Sequence, residues 1–379
     1  MNKHQSQGWA AKLMHYSGFL SCMPHIGGDD IPERNLIAFA DLLIFQRNCI
    51  IPEVVQAIKY WQALGKPVVI DLDDAYHILP PSNPAHNFWI KGAGALDNTE
   101  SFVNLSNGKP LAQSDALHYL EEGLKASSGL ISPNRNLLQA WEHCVGQKQY
   151  YLQNYAEKDW WEGLPPREDL KKEAGLDGKI VIGWGGSISH LDSFFGSGLF
   201  TALERICNQY PNVVVKICGN DDRLEEFLDL PQDQLVRQYG VPPEEWPLQV
   251  KTFDIGLAPL YGFYDQHRSW IKGIEYLLAG VPWIGTGPGG PRGTYADLNG
   301  TGYLIKNSVK NWERTLRKII KNLDAEQRKA NELIPVAQKR FVIDYNLNVF
   351  GETYKRIIND FKKDGAGGNL RLPEVAHVK

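Results

Sequence analysis

The chain has 379 residues, 43% of them hydrophobic and 22% charged, with a net charge of −4; this is the composition of a soluble globular enzyme of two or three domains, and it gives no overall electrostatic reason to bind nucleic acid. No run approaches the ~20 apolar residues of a membrane span, and the N-terminus MNKHQSQGWAAKLMHYS lacks the apolar core of a signal peptide. Five scattered cysteines (Cys22, Cys49, Cys144, Cys207, Cys218), with no CxxC pair, point to reduced thiols in a cytoplasmic protein and away from a disulfide frame or zinc site, while peripheral membrane attachment through an amphipathic surface stays open.

Residues 1–40 carry little pattern beyond a loop at 23–33. The segments ADLLIFQR (40–47), PEVVQAIKYWQALG (52–65) and KPVVIDLDD (66–74) then read as strand, helix and strand, a βαβ unit that requires a parallel sheet. Residues 75–112, rich in Pro, Asn, Gly and Ser, predict a long surface excursion, functional or mobile. A helix over 114–126, a strand Gly129–Ser132, a helix after Pro133 and a strand Gln149–Asn154 complete a first domain, 1–160. The charges and Pro-Pro pair of 155–178 predict a linker.

A second domain, 178–344, opens on KIVIGWGG (179–186). A helix follows with Leu199, Leu203, Ile206 and Tyr210 on one face, then a strand over 212–220, a helix near 222–229, an element at Leu248–Phe253 and DIGLAPL (254–260). In 265–288, Ile271, Ile274 and Leu278 recur at helical spacing, with Ser269, Lys272 and Tyr276 on the other side and Glu275 at the edge. Gly280 suits a left-handed C-cap, and Pro282 forbids continuation. Three late helices are expected, at 308–323, 324–340 (kinked or broken at Pro335) and 345–363, with a disordered tail, 364–379. Two alternating halves around a linker predict an α/β protein of two Rossmann-like domains facing a cleft.

Three constellations carry chemistry. Lys272 and Glu275, three residues apart, read either as an ion pair or as ligands: an ammonium for phosphate oxygens and a carboxylate for vicinal hydroxyls. In IGWGGSISHLDS (182–193) a buried strand runs into Gly183, Gly185, Gly186 and Ser187, so backbone N–H groups can approach an anion and a helix N-terminus beyond would favour its charge. The alternative is a plain glycine turn. It is not a dinucleotide fingerprint, because Ile188 stands at the third glycine position and Cys218 and Gly219 end the next strand where an acid belongs. Ligands in such sheets bind outside the carboxyl ends of strands, which puts Gly219, Asn220, Pro259 and Leu260 where a base would lie, with Arg268 and Lys272 as the cations to hold a pyrophosphate. The third constellation is DLDD, 71–74. It reads as a divalent-metal site, as a strand-end turn, or as Asp73 or Asp74 positioning an acceptor hydroxyl beside His25, Gly27 and Gly28.

The run K-G-I-E-Y-L-L-A-G-V-P at 272–282, after D-I-G-L-A-P-L at 254–260, resembles the donor-site helix of retaining GT-B glycosyltransferases (group 1, family 4-like), over roughly 179–310. The resemblance implies that Glu275 binds the ribose of a nucleotide-sugar. It also implies that Gly185, Gly186, Ser187 and His190 face its diphosphate and sugar, and that Gly219, Asn220, Pro259 and Leu260 contact the base. Ser269 completes the donor-binding set. Members often carry a second glutamate eight residues before the ribose-binding one; here His267 stands there, with Asp265 nearby.

The expected function is transfer of a sugar from a nucleotide-diphospho-sugar to the hydroxyl of a glycan, lipid-linked or other acceptor, in glycan or glycoconjugate synthesis. Transfer is expected with retention and without cofactor or metal. Arg268 and Lys272 would meet the diphosphate charge, and Asp73 or Asp74 the acceptor; a divalent metal at DLDD is the alternative. The competing functions are a sugar-nucleotide epimerase and a non-catalytic nucleotide-sugar-binding protein. The resemblance further implies that the helix 345–363 (Phe350, Tyr354, Ile357, Ile358, Phe361) crosses back onto the first domain.

Overall fold

The computed structural model describes residues 40–47, 49, 52–91, 116–186, 188–219, 227–287 and 294–364. They form two α/β units: Asn154–Asn346, and a second that gathers the residues up to Gln153 (Ser82–Pro84 apart) with those from Leu347 onward.

In the latter unit, strands β1 (Leu43–Gln46), β2 (Val68–Asp71), β3 (Leu130–Ser132) and β4 (Gln149–Tyr151) are parallel and lie in that order. Helix α1 (Pro52–Ala63) connects β1 to β2 and buries Val54, Ile58 and Trp61. The whole of β2, VVID, is buried, as a strand covered on both faces by crossover helices must be. Helix α2 (Ala116–Ala126) buries Leu120 and Leu124 against this sheet. The C-terminal helix Leu347–Lys363 buries Phe350, Tyr354, Ile357 and Phe361. Its Asp360 accepts a hydrogen bond from the Tyr150 hydroxyl at 3.2 Å.

The unit Asn154–Asn346 holds a six-stranded parallel sheet: β5 (Ile180–Gly185), β6 (Val213–Cys218), β7 (Leu235–Gln238), β8 (Ile255–Ala258), β9 (Trp283–Thr286) and β10 (Tyr303–Ile305), in the order β10-β9-β8-β5-β6-β7. The order reverses between β5 and β8, the doubly wound topology whose ligands bind beyond the carboxyl ends of the strands. Helix α3 (Leu199–Gln209) lays Leu199, Leu203 and Ile206 on the sheet, and they form one core with Trp184, Val215 and Trp312.

Several elements take their type and extent from the structure. Leu248–Phe253 falls on helix α4 (Trp246–Lys251), which Pro247 initiates in its first turn. The short edge strands β7 and β10 are half-exposed throughout and so lack an apolar signature. After α5 (Ile271–Leu278) and α6 (Val309–Lys321), α7 (Leu323–Phe341) runs unbroken through Pro335. Most of the helix expected near 222–229 lies outside the described residues, as does the tail beyond Asp364.

The stretch 155–178 is not a free linker; it packs into the unit Asn154–Asn346. Ala156 bridges in parallel to Val342. Lys171 donates to Asp254 at 2.7 Å, and Asp254 also accepts from the Val181 amide and from Gln327. Among the described residues no helix is long and apolar enough to cross a membrane.

Candidate functional site

A cleft of about 410 Å³ opens within the unit Asn154–Asn346, inside the roughly 300–1,000 Å³ range of small-molecule sites. Its floor is the ends of β5 and β6, at Gly185, Gly186, Cys218 and Gly219. The turn after β7, Gln238–Val241, forms one side with Trp246, and α5 forms another with Lys272 and Glu275. Backbone bonds join the strand ends, from the Gly186 amide to the Cys218 carbonyl and from the Gly219 amide to the Gln238 carbonyl, both 2.9 Å.

The glycines are required by close packing. A Cβ on Gly185 would enter the Trp246 ring, and one on Gly186 would meet Trp184 at 2.6 Å and the Lys272 ammonium at 3.0 Å. The Gly186 N–H is already bonded, so this glycine makes room and does not present an amide to an anion. The helix beyond the loop is only Leu191–Ser197, set behind a 3-10 turn at Ile188–His190.

Helix α5 ends as its sequence predicts. Gly280 has φ +64, the Gly280 amide bonds the Leu277 carbonyl at 3.2 Å, and the Val281 amide bonds the Tyr276 carbonyl at 2.8 Å; this is the Schellman pattern. Two cations cover the last carbonyls: Lys251 donates to Ala279 at 2.9 Å and Arg167 to Gly280 at 2.7 Å. Both side chains complement the negative end of the helix. Tyr276 departs from expectation. It is buried, and its hydroxyl donates to the Leu257 carbonyl at 2.7 Å, so both sides of the helix are covered.

Lys272 donates to the Gly185 carbonyl and sits 5.2 Å from the centre of the Trp184 ring. Burial lowers its ammonium to about 8, against a partial offset from Glu275. A cation held there without a full solvent shell is poised to gain an anionic partner.

Arg268 does not line the cleft. Its guanidinium donates to the Ser189 carbonyl at 3.2 Å, the Ser189 hydroxyl at 2.9 Å and His190 Nδ1 at 3.1 Å, and it lies 3.6 Å from Asp265. Asp265 is itself buried, accepting from the Ser193 hydroxyl at 2.5 Å and the Tyr261 amide at 2.7 Å. Arg268 is thus a staple for the loop at 189–190, and its fork is engaged. Burial, with Arg268 and Lys272 close by, holds His190 well below its usual pKa. The ring is neutral at pH 7, accepts at Nδ1 and carries its proton on Nε2, so it offers no charge to a phosphate.

Pro259 and Leu260 are buried away from the cleft walls; the Leu260 amide bonds Thr286 and its carbonyl accepts from Asn307. Ser269 does not line the cleft either. His267 bonds the Phe263 carbonyl at 3.0 Å. Ser187, Asn220, His25, Gly27 and Gly28 lie outside the described residues. In the other unit, Asp73 accepts from the Tyr76 hydroxyl at 3.4 Å, and Tyr76 from Arg47 at 3.0 Å. Asp74 caps the Ala75 amide at 2.9 Å.

Sequence reasoning missed two parts of the cleft wall. Tyr239, Gly240 and Trp246 follow an edge strand with no apolar pattern to announce it. Asn154, Glu157 and Trp160 lie in the stretch read as linker. An aromatic pair, Trp160-Trp161, inside a charged segment was the one available signal.

The fold is shared with solved structures. HepE of Anabaena, in complex with UDP and glucose, matches with a TM-score of 0.54 at 16% identity, over 85% of this chain and 82% of its own. A glycosyltransferase from Rickettsia africae ESF-5 matches with a TM-score of 0.50 at 12% identity, over 84% and 98%. WaaG, a glycosyltransferase involved in lipopolysaccharide biosynthesis, matches at 0.50 and 15%, over 71% and 70%. No family model matches the chain, and no curated protein sequence does. The chain has the α/β GT-B fold, with two parallel sheets.

Proposed function

We propose that the protein is a glycosyltransferase that holds a nucleotide-diphospho-sugar in the cleft of the unit Asn154–Asn346 and transfers the sugar to an acceptor hydroxyl. The observation that carries this reading is that Lys272 and Glu275 both line one cleft at the carboxyl ends of the strands. Their spacing puts an ammonium and a carboxylate about one helical turn apart, the separation at which a phosphate and a ribose diol can be held together. Likeness to structures crystallised with UDP and with a sugar supports the ligand class.

As the sugar–phosphate bond breaks, negative charge builds on the leaving diphosphate. Lys272, poorly solvated and already aimed by the Gly185 carbonyl, is placed to meet it, and such preorganised charge lowers the barrier without reorganisation. Arg268 acts by positioning the loop at 189–190. Asp73 or Asp74 holds the acceptor hydroxyl, and the sugar is transferred with retention.

The test is a thermal-shift and calorimetric panel of UDP-glucose, UDP-galactose, UDP-N-acetylglucosamine and GDP-mannose, followed by transfer assays on glycan and lipid-linked acceptors. One of the four should raise the melting temperature by mass action; no shift with any would overturn the reading. Glu275→Ala should weaken the bound nucleotide-sugar by about 2 kcal/mol, roughly 30-fold. Unchanged affinity would reduce Glu275 to a partner of Lys272.

The diphosphate charge is assigned to Lys272, so transfer should proceed unchanged in EDTA. In this reading Asp73→Asn lowers the rate through the acceptor and leaves donor affinity intact. Loss of activity on chelation, restored by Mg²⁺ or Mn²⁺, together with loss of donor binding in Asp73→Asn, would move the donor to DLDD.

A further inference from the structure

The wall of the cleft built from residues 154–161 touches none of the nucleotide-binding elements in sequence, yet it carries a carboxylate, a half-buried indole and a buried amide. Glu157 lines the cleft just before the helix Lys158–Trp161, and Trp160, one turn further on, lines it too. Glu157 and Glu275 are the two carboxylates among the residues that line it. Asp265, close to the donor loop, is committed elsewhere: it is buried against Arg268, Ser193 and the Tyr261 amide. Asn154 sits on the same wall with nine-tenths of its surface covered, and its Nδ2 has no hydrogen-bond acceptor among the described residues. A buried amide hydrogen left without a partner is costly, and a ligand oxygen removes that cost.

Resting on the reading of the cleft as a nucleotide-sugar site, we propose that this wall recognises the transferred sugar. Trp160 covers an apolar C–H face of the ring, and Glu157 accepts hydrogen bonds from its hydroxyls. The chemistry matches the ligand. A hexose offers O–H donors around its rim, which a carboxylate accepts strongly, and two C–H faces, which an aromatic ring covers. Burial, with Asp344 and Asp159 nearby, raises the pKa of Glu157. Its carboxylate is poorly solvated, so hydroxyl donors would replace hydration that it already lacks.

The experiment compares two affinities in the full-length protein: the nucleotide-sugar of the panel that binds, and its parent nucleoside diphosphate. Glu157→Ala and Trp160→Ala should each weaken the nucleotide-sugar by about tenfold while changing the nucleoside diphosphate less than about twofold. Glu157→Gln, which keeps the shape, should fall between Glu157→Ala and the parent. Melting temperatures check that each variant folds. An equal loss on both ligands would place the wall on the nucleotide or in the scaffold and overturn the assignment, as would no loss on either. If the parent protein binds neither ligand, the cleft reading fails and takes this assignment with it.

Discussion

Lys272→Met should abolish sugar transfer and weaken nucleotide-sugar binding by about a hundredfold, while the unliganded protein melts no earlier than the parent. The two halves of this result share one cause. Burial lowers the lysine to about 8 from an ordinary value of 10.5, so the charged form is disfavoured in the folded protein. A group whose folded pKa is depressed contributes stability above the unfolded pKa and loses it as pH falls through the folded one. Near pH 7 the ammonium is therefore carried at a cost, and methionine removes it. With a diphosphate bound, the same charge gains a partner in a poorly solvated site, where a charge-assisted bond is strong.

The pH dependence follows from the same shift. Above about 8 the free site must take up a proton to bind, so affinity should fall by up to about tenfold per pH unit. Calorimetry in buffers of different ionisation enthalpy measures that uptake. Affinity that stays flat from pH 7 to 9 would remove Lys272 from the diphosphate.

The second large effect belongs to Gly219→Ala, which should lower the melting temperature by more than about 5 °C and abolish donor binding. Gly219 has φ +150, and an added Cβ would point into the Gly186 carbonyl oxygen. Backbone strain and a clash with an unyielding backbone atom thus coincide at the turn that joins β6 to the floor of the cleft. Gly262→Ala is the control. Gly262 has φ +80 but nothing within 4 Å of its would-be Cβ, so it should cost only about 1–2 kcal/mol and leave binding unchanged. Equal losses at the two positions would mean that strain alone matters and that the packing of the strand ends does not.

Much of this architecture was legible in the sequence, because periodicity reports burial directly. The stripe Leu199, Leu203, Ile206 is apolar at helical spacing and lies on the sheet. VVID and VVVKIC read as strands of α/β units and are buried throughout. Gly280 and Pro282 announced the end of α5, since one tolerates positive φ and the other cannot continue a helix. Lys272 and Glu275 stood out because charges within a short apolar helix invite a ligand, and both line the cleft.

What the sequence could not determine was which polar groups satisfy one another. Arg268 was a candidate for the diphosphate on its chemistry, yet Ser189, His190 and Asp265 take up its fork. Asp265 is three residues away in the same turn, but Ser189 and His190 lie within reach only because the β5 loop and the turn before α5 meet in space. His190 has the same history. Its ring is a base by type, and its neutrality follows from burial beside two cations. The charged stretch 155–178 has the composition of a solvated linker, but Arg167 and Lys171 have partners 113 and 83 residues away. Hydropathy along the chain is set residue by residue, whereas the pairing of charges depends on distances that exist only after folding. The sequence by itself therefore determined the α/β alternation and the helix that carries Lys272 and Glu275. Only the tertiary structure decided that Arg268 serves the loop, and that Asn154, Glu157 and Trp160 complete the wall of the cleft.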